Sequence, residues 1–214
     1  MRTVLHGARH FQQKVFPSHR NRFEQLAAGQ SPSTLFITCS DSRIVPHLLT
    51  QTAPGELFVL RNAGNLVPPY TAVHTGEAAT IEYAVEVLQV REIIVCGHSH
   101  CGAIAGLLNP ESLEKLPAVK HWLKHAQATY QLFKDPPPET PHFEIVPSAV
   151  QHNVVTQLAH LRTYPAVKKA ESRGLLSLHG WFYRFETGEI SHLVEASQDF
   201  CSILDTPADR MPTV

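Results

Sequence analysis

Net charge is almost absent from this chain: Lys+Arg 18 against Asp+Glu 19 leaves a formal −1. No basic stripe runs along any segment, which argues against a nucleic-acid partner, because such a partner demands clustered Lys and Arg to neutralise phosphates. Long apolar runs are missing too. No window approaches the roughly 18–20 apolar residues that a bilayer span needs, so no membrane span is expected. The N-terminal stretch MRTVLHGARHFQQKVF lacks the apolar centre of a signal peptide, and we expect a soluble cytoplasmic protein. Cysteine is scarce. Cys39, Cys96, Cys101 and Cys201 are too few and too unevenly spaced for a disulfide framework, and in a reducing compartment such residues are metal ligands or small hydrophobes. No internal repeat is present. What remains is a 214-residue chain with 43% hydrophobic content, enough for one sizeable core.

Leu5 to Leu26 carries spaced apolar residues broken by Pro17, which predicts two amphipathic helices joined at FPSH. Three short runs of branched and aromatic residues then read as strands buried on both faces: TLFITC (34–39), ELFVLRN (56–62) and EIIVCGH (92–98). Between the second and third, HTGEAATIEYAVEVLQV is an Ala-rich, nearly all-round apolar segment of the kind that forms the crossover of a strand–helix–strand unit. A doubly wound α/β sheet follows. The segment around Pro117 predicts helix on either side, and PPPETP a loop. A helix is predicted after Pro147, with Ser148 as its N-cap and Pro165 marking its end. LLSLHGWFYRFETGEISHL predicts a strand with a hairpin turn at Thr187-Gly188 or Gly188-Glu189. From Ala196 onward no period is sustained, which predicts an extended tail that docks on a surface or stays disordered.

The chemistry gathers at strand ends. Cys39 closes the first strand and His98 the third, and open parallel sheets bind ligands at the carboxyl ends of their strands. Cys101 follows His98 by three residues, at the entrance of a predicted helix. Two thiolates and an imidazole suit zinc, a borderline-soft cation that accepts mixed sulfur and nitrogen donors, and three ligands leave a fourth position open. Cys96 and Cys201, taken singly, read as buried or inert, and His100 as a surface or hydrogen-bonding residue pointing away from His98. Gly64 supplies backbone freedom for a sharp turn after the second strand. Arg61 reads as structural, paired at a subunit interface or with a carboxylate. Leu5, Phe11, Val15, Phe16, Phe23 and Leu26 find no place on a sheet already covered by crossover helices, and we expect them to pack on a partner subunit.

In this order and spacing CSDSR, RNAGN, EYAV and GHSHCG resemble the β-class carbonic anhydrases, and PSHRNRFEQLAAGQSP and LFVLRNAGNLVPPY are most similar to the cyanobacterial and plant-like members. The resemblance runs from about Leu5 to Leu193. It implies an α/β fold with a mainly parallel central β-sheet flanked by helices, one domain over 1–195 with a helical arm at 1–28, and a tail at 196–214. It implies a homodimer or a dimer of dimers, with the arm on the partner subunit. One Zn2+ per subunit would sit on Cys39, His98 and Cys101. Asp41 and Arg43 would form the catalytic dyad, and Gln30, Phe58, Ala63, Tyr83 and Gly102 would bind or enclose the substrate, with parts of each pocket drawn from the neighbouring subunit. The implied activity is reversible hydration of carbon dioxide to bicarbonate and a proton by zinc-bound hydroxide, which Asp41 would orient.

Activity is then expected to rise toward alkaline pH, because two thiolates acidify water less than neutral imidazoles do. A bicarbonate-inhibited subtype uses a tryptophan where this chain has Phe36, together with an arginine matched by Arg61 and a tyrosine for which Tyr183 is the candidate. The missing indole predicts the state in which Asp41 stays on Arg43. Two alternatives stand beside this activity: hydrolysis of carbonyl sulfide or carbon disulfide, and a silent zinc-containing scaffold or bicarbonate sensor. Similarity to carboxysomal members makes the carboxysome an alternative to the free cytoplasm, although the long C-terminal extension common among those members is not seen.

Overall fold

The branched and aromatic runs form a six-stranded sheet in the order β2-β1-β3-β4-β5-β6. The computed structural model describes residues 2–71, 75–137, 140 and 142–205. Strands β1 (Thr34–Cys39), β2 (Leu57–Asn62), β3 (Glu92–His98) and β4 (Ser177–Tyr183) run parallel, while β5 (Ile190–Val194) and β6 (Asp199–Ser202) continue the sheet antiparallel. Side chains alternate between the faces of a strand, and both faces of β1 and β3 are covered, which is why their sequences are apolar without interruption. Leu35, Ile37, Ile93 and Val95 enter a core with Ile81, Val85, Val154, Leu158 and Leu161. Phe36, Ile94 and Cys96 face the other way, with Ile44 and Trp181. Strand β2 departs from expectation: it lies at the sheet edge and is only partly buried in the single chain.

Helix α1 (Arg2–His10) passes through a wide π turn at Phe11–Val15 into α2 (Phe16–Ala27). Pro17 does not form the joint between helices that its place in the sequence predicts. It sits in the first turn of α2, where a missing N–H costs least, and the π turn before it absorbs the change of phase. A short helix α3 (Pro46–Thr50) follows β1, and the crossover from β2 to β3 is α4 (Gly76–Glu82), prolonged by a second π turn at Tyr83–Val87. Thr75 Oγ1 caps α4 by accepting from Ala78 N–H at 3.3 Å. Helix α5 (Gly102–Leu108) leaves the GHSHCG loop, and α6 (Pro117–Trp122) and α7 (Gln127–Phe133) lead on to α8 (His142–Leu161).

Helix α8 overturns the expected N-cap: Pro147 lies inside it and Ser148 does not begin it. Pro165 likewise opens a further helix, α9 (Pro165–Ser172), at the position where proline is pre-organised for a helix start. Beyond the proline, α8 packs closely on the sheet. A Cβ on Gly97 of β3 would approach Val150 Cγ1 to 2.6 Å, and one on Gly180 of β4 would approach Val154 Cγ1 to 2.9 Å. Glycine at these two points lets α8 lie directly against the strands that carry the site.

The predicted hairpin joins β4 to β5, with Gly188 at φ 75°, and Arg184 N–H donates to Glu189 O at 2.9 Å. Within the segment read as an extended tail, Asp199–Ser202 is extended and pairs with β5 as a sixth strand, a pairing that its sequence, without a marked period, does not announce. Residues 206–214 lie outside the described residues, as do 72–74 and some of the PPPETP connector. Among the described residues, no helix is long and apolar enough to cross a membrane.

Candidate metal centre

Strand pairing assembles the site. Strands β1 and β3 are hydrogen-bonded neighbours running the same way, so Cys39 and His98, each the last residue of its strand, emerge side by side at the carboxyl edge. Cys101, at the head of α5, returns toward them from the loop that follows. The sulfurs of Cys39 and Cys101 and a ring nitrogen of His98 lie within 4.8 Å of one another, and all three residues are buried.

The donor set fits a zinc ion. His98 Nδ1 is 2.7 Å from Ser99 O, which can only accept, so Nδ1 carries the proton and Nε2 bears a free lone pair. That Nε2 is buried and has no hydrogen-bond partner among the described residues. A buried acceptor left bare beside two thiols is costly for a fold and well suited to a cation. The thiols share protons unequally. Hydrogen bonding from Cys101, with help from the N–H groups of Gly64 and Asp41, pulls Cys39 down to about 4 against the opposing effect of burial. Cys101, as the partner in that bond and a buried group, is pushed up. Gly64, at φ 83°, turns the chain so that its N–H reaches Cys39 Sγ at 3.3 Å.

Beside the sulfurs stands the predicted dyad. Arg43 Nε donates to Asp41 Oδ1 at 2.9 Å and Nη2 to Oδ2 at 2.8 Å, and the Arg43 backbone N–H adds a bond to Oδ1 at 3.0 Å. The guanidinium holds the Asp41 carboxyl well below the usual carboxylate range. Arg61, expected to be structural, clamps backbone within the chain: its Nε donates to Cys39 O at 3.1 Å and its Nη2 to Asp41 O at 2.7 Å.

The other predicted residues surround this group at different removes. Gly102 adjoins Cys101, and a Cβ there would meet nothing within 4 Å, so that side is open. Ala63 is exposed next to Gly64, and its carbonyl accepts from Trp122 Nε1 at 2.8 Å. Phe58 and Tyr83 pair with each other, ring centroids 6.0 Å apart, with Tyr83 44% exposed. Gln30 is exposed in the loop between α2 and β1, and within one chain nothing among the described residues ties it to the cysteines. Cys96 is buried and pushed up to about 12, an inert core thiol, and Cys201 is exposed on β6.

The sequence reading found the hairpin after β4 but missed two residues that lead into it, Phe185 and Glu186. Phe185 packs against the His98 ring at a tilt of 40°, ring centroids 4.8 Å apart, and lies under the Arg43 guanidinium at 4.6 Å. Glu186 binds Ser99 and His100, and the Ser99 hydroxyl, foremost among its partners, lowers its carboxyl to about 2. His100 is exposed and turned away from the sulfurs, in line with expectation. No local feature of residues 184–186 announces these contacts, which follow from the pairing of β3 with β4.

The family profile described as carbonic anhydrase matches residues 34–190. The chain is 48% identical over 213 residues to a carbonic anhydrase of Synechococcus elongatus, covering 99% of this chain and 78% of that protein. It is 52% identical over 191 residues to a carbonic anhydrase of Synechocystis, covering 89% and 70%. Among solved structures, that of the β-carbonic anhydrase CcaA superposes with a TM-score of 0.91 at 50% identity, covering 94% of this chain and 91% of that one.

Proposed function

The chain belongs to the β-class carbonic anhydrases, a family of zinc enzymes, and on that premise we propose that it catalyses the reversible hydration of carbon dioxide to bicarbonate and a proton. Cys39, His98 and Cys101 would hold the zinc. Bound there, zinc supplies Lewis acidity, the means by which water becomes a nucleophile near neutral pH. The observation that carries the reading is the bare, buried His98 Nε2 facing two thiols beside an ionised carboxylate.

Asp41 accepts a hydrogen bond from the attacking water and so directs an oxygen lone pair at the substrate carbon. Arg43 occupies both carboxylate oxygens, which fixes the orientation of Asp41 and keeps it ionised. Apolar walls from Phe58, Ala63 and Tyr83 suit carbon dioxide, which has no permanent dipole, and a donor amide from Gln30 would orient bicarbonate. Gln30 is exposed and apart from the cysteines of its own chain, which supports a pocket completed by a second subunit. The arm supports the same reading. Val4 and Leu5 are 79% and 57% exposed, and Phe11, Phe16 and Phe23 cluster chiefly with one another. We place the enzyme in the cytoplasm as a homodimer or a dimer of dimers.

Stopped-flow carbon dioxide hydration on zinc-loaded protein tests the proposal. Turnover should rise with pH and fall about a hundredfold or more in Asp41→Asn at unchanged zinc content. Full activity in Asp41→Asn would remove the role given to the carboxylate, and no turnover in the loaded dimer would remove the activity.

A further inference from the structure

Two of the three zinc ligands sit on the loop from His98 to Cys101, which bends through His100 at φ 53°. A side-chain-bearing residue holds that left-handed conformation only where its surroundings impose it. The restraint comes from the next strand. In the β3–β4 register His98 lies opposite Tyr183, so residues 99 and 100 emerge facing the turn at 184–186. Glu186 takes one loop side chain on each oxygen: Ser99 Oγ donates to Oε2 at 2.7 Å, and His100 Nε2 lies 2.7 Å from Oε1. Ser99, 1% exposed, is held further by Phe185 N–H donating to its Oγ at 2.9 Å and by its own N–H donating to Tyr183 O at 2.9 Å.

The loop fixed in this way presents a carbonyl to the dyad. His100 O accepts from Arg43 Nη2 at 3.1 Å. That contact matters because Asp41 and Arg43 lie two residues apart on one loop and could pivot together without breaking a bond between them. The Arg43 side chain is 52% exposed, so burial alone does not set its direction. His100 O and the Phe185 ring supply reference points outside that loop, and both depend on the turn that carries Glu186.

We propose that Glu186 is a positioning residue for the Asp41–Arg43 dyad, acting through the His100 carbonyl. The carboxylate fixes the loop, the loop carbonyl fixes the guanidinium, and the guanidinium fixes Asp41. The inference rests on the dyad reading given above.

A double-mutant cycle tests it. Glu186→Ala should lower kcat/KM for carbon dioxide hydration about tenfold, the scale of loss typical for residues that orient a metal site from outside it, with zinc content and unfolding midpoint near wild type. Glu186→Gln keeps an acceptor for Ser99 and a polar atom for His100 and should stay within about threefold. In an Arg43→Ala background Glu186→Ala should cost nothing more. A readout independent of turnover is the nitrogen-15 amide-type resonance of Arg43 Nε–H, assigned by its loss in Arg43→Lys, which should shift or broaden in Glu186→Ala and not in Glu186→Gln. His100→Gly, which relieves the left-handed strain while removing the ring, should move the same resonance and serves if Glu186→Ala does not fold. Equal losses in both backgrounds, loss of zinc from Glu186→Ala, or an unmoved resonance would overturn the proposal. Wild-type turnover in Asp41→Asn would instead count against the dyad reading, and the resonance alone would then decide whether Glu186 orients Arg43.

Discussion

Arg43 grips Asp41 in a parallel fork, Nε to Oδ1 at 2.9 Å and Nη2 to Oδ2 at 2.8 Å, and the same Nη2 reaches His100 O at 3.1 Å. One planar group thereby joins the loop after β1 to the loop after β3. A lysine ammonium offers charge without the fork and cannot serve all three acceptors in those directions. Arg43→Lys should therefore retain zinc while losing about tenfold in kcat/KM. Activity equal to wild type in stopped-flow assays would mean that charge alone suffices.

Metal removal should expose the unequal thiols. With Cys39 pulled down to about 4 and Cys96 pushed up to about 12, chelator-stripped protein at neutral pH carries a thiolate at Cys39 and a thiol at Cys96. Mass spectrometry after brief alkylation should find Cys39 modified well before Cys96, and zinc should protect Cys39. Equal modification of the two cysteines would contradict the assigned environments. Cys101→Ala should lower zinc from about one per chain toward none, since a site of two remaining ligands binds far more weakly.

Gly97→Ala should cost about 2 kcal/mol of stability, because the added methyl would meet Val150 at 2.6 Å on a helix packed flat against the strand. Gly97 immediately precedes His98, so the displacement should also weaken zinc retention. Denaturant unfolding of both forms and a competition assay with a chelator would measure the two effects, and an unchanged midpoint would show that α8 can move freely.

His152, hydrogen-bonded to Thr129 Oγ1 at 3.0 Å and stacked edge-on to Phe133, has its pKa lowered by burial from the ordinary 6.5. His125 and His160 are lowered chiefly for the same reason. A histidine depressed in the fold binds fewer protons there than in the unfolded chain. Stability is therefore fully present above the ordinary value and is lost as pH falls through it toward the folded pKa. The thermal midpoint should drop as pH is lowered below about 6.5, and His152→Gln should show a shallower drop. Parallel curves for the two proteins would assign the dependence elsewhere.

The limits of β1 and β3 were legible because burial on both faces leaves an unbroken apolar run, and the residue closing each run is a ligand candidate. Pro147 misled the reading of α8, since a proline normally marks a boundary and here it lies inside the helix. Neither π turn has a signature in residue type. Phe185 and Glu186 were unreadable for a different reason: their link to His98, Ser99 and Arg43 follows from the β3–β4 register, and a contact made by register leaves no mark in either local segment. Gln30 and Tyr83 show the opposite case, named by resemblance while the single chain leaves both partly or wholly exposed.

The candidate ligands at the ends of β1 and β3 are far apart along the chain and become neighbours only once the intervening crossover has folded and the two strands have paired. Loading would thus be an act of the finished sheet, late in the chain's history, and an ion held there would work as a rivet across the seam. Prying the seam apart and releasing the ion become the same event, so the rate at which metal escapes would time the opening of the β1–β3 pair.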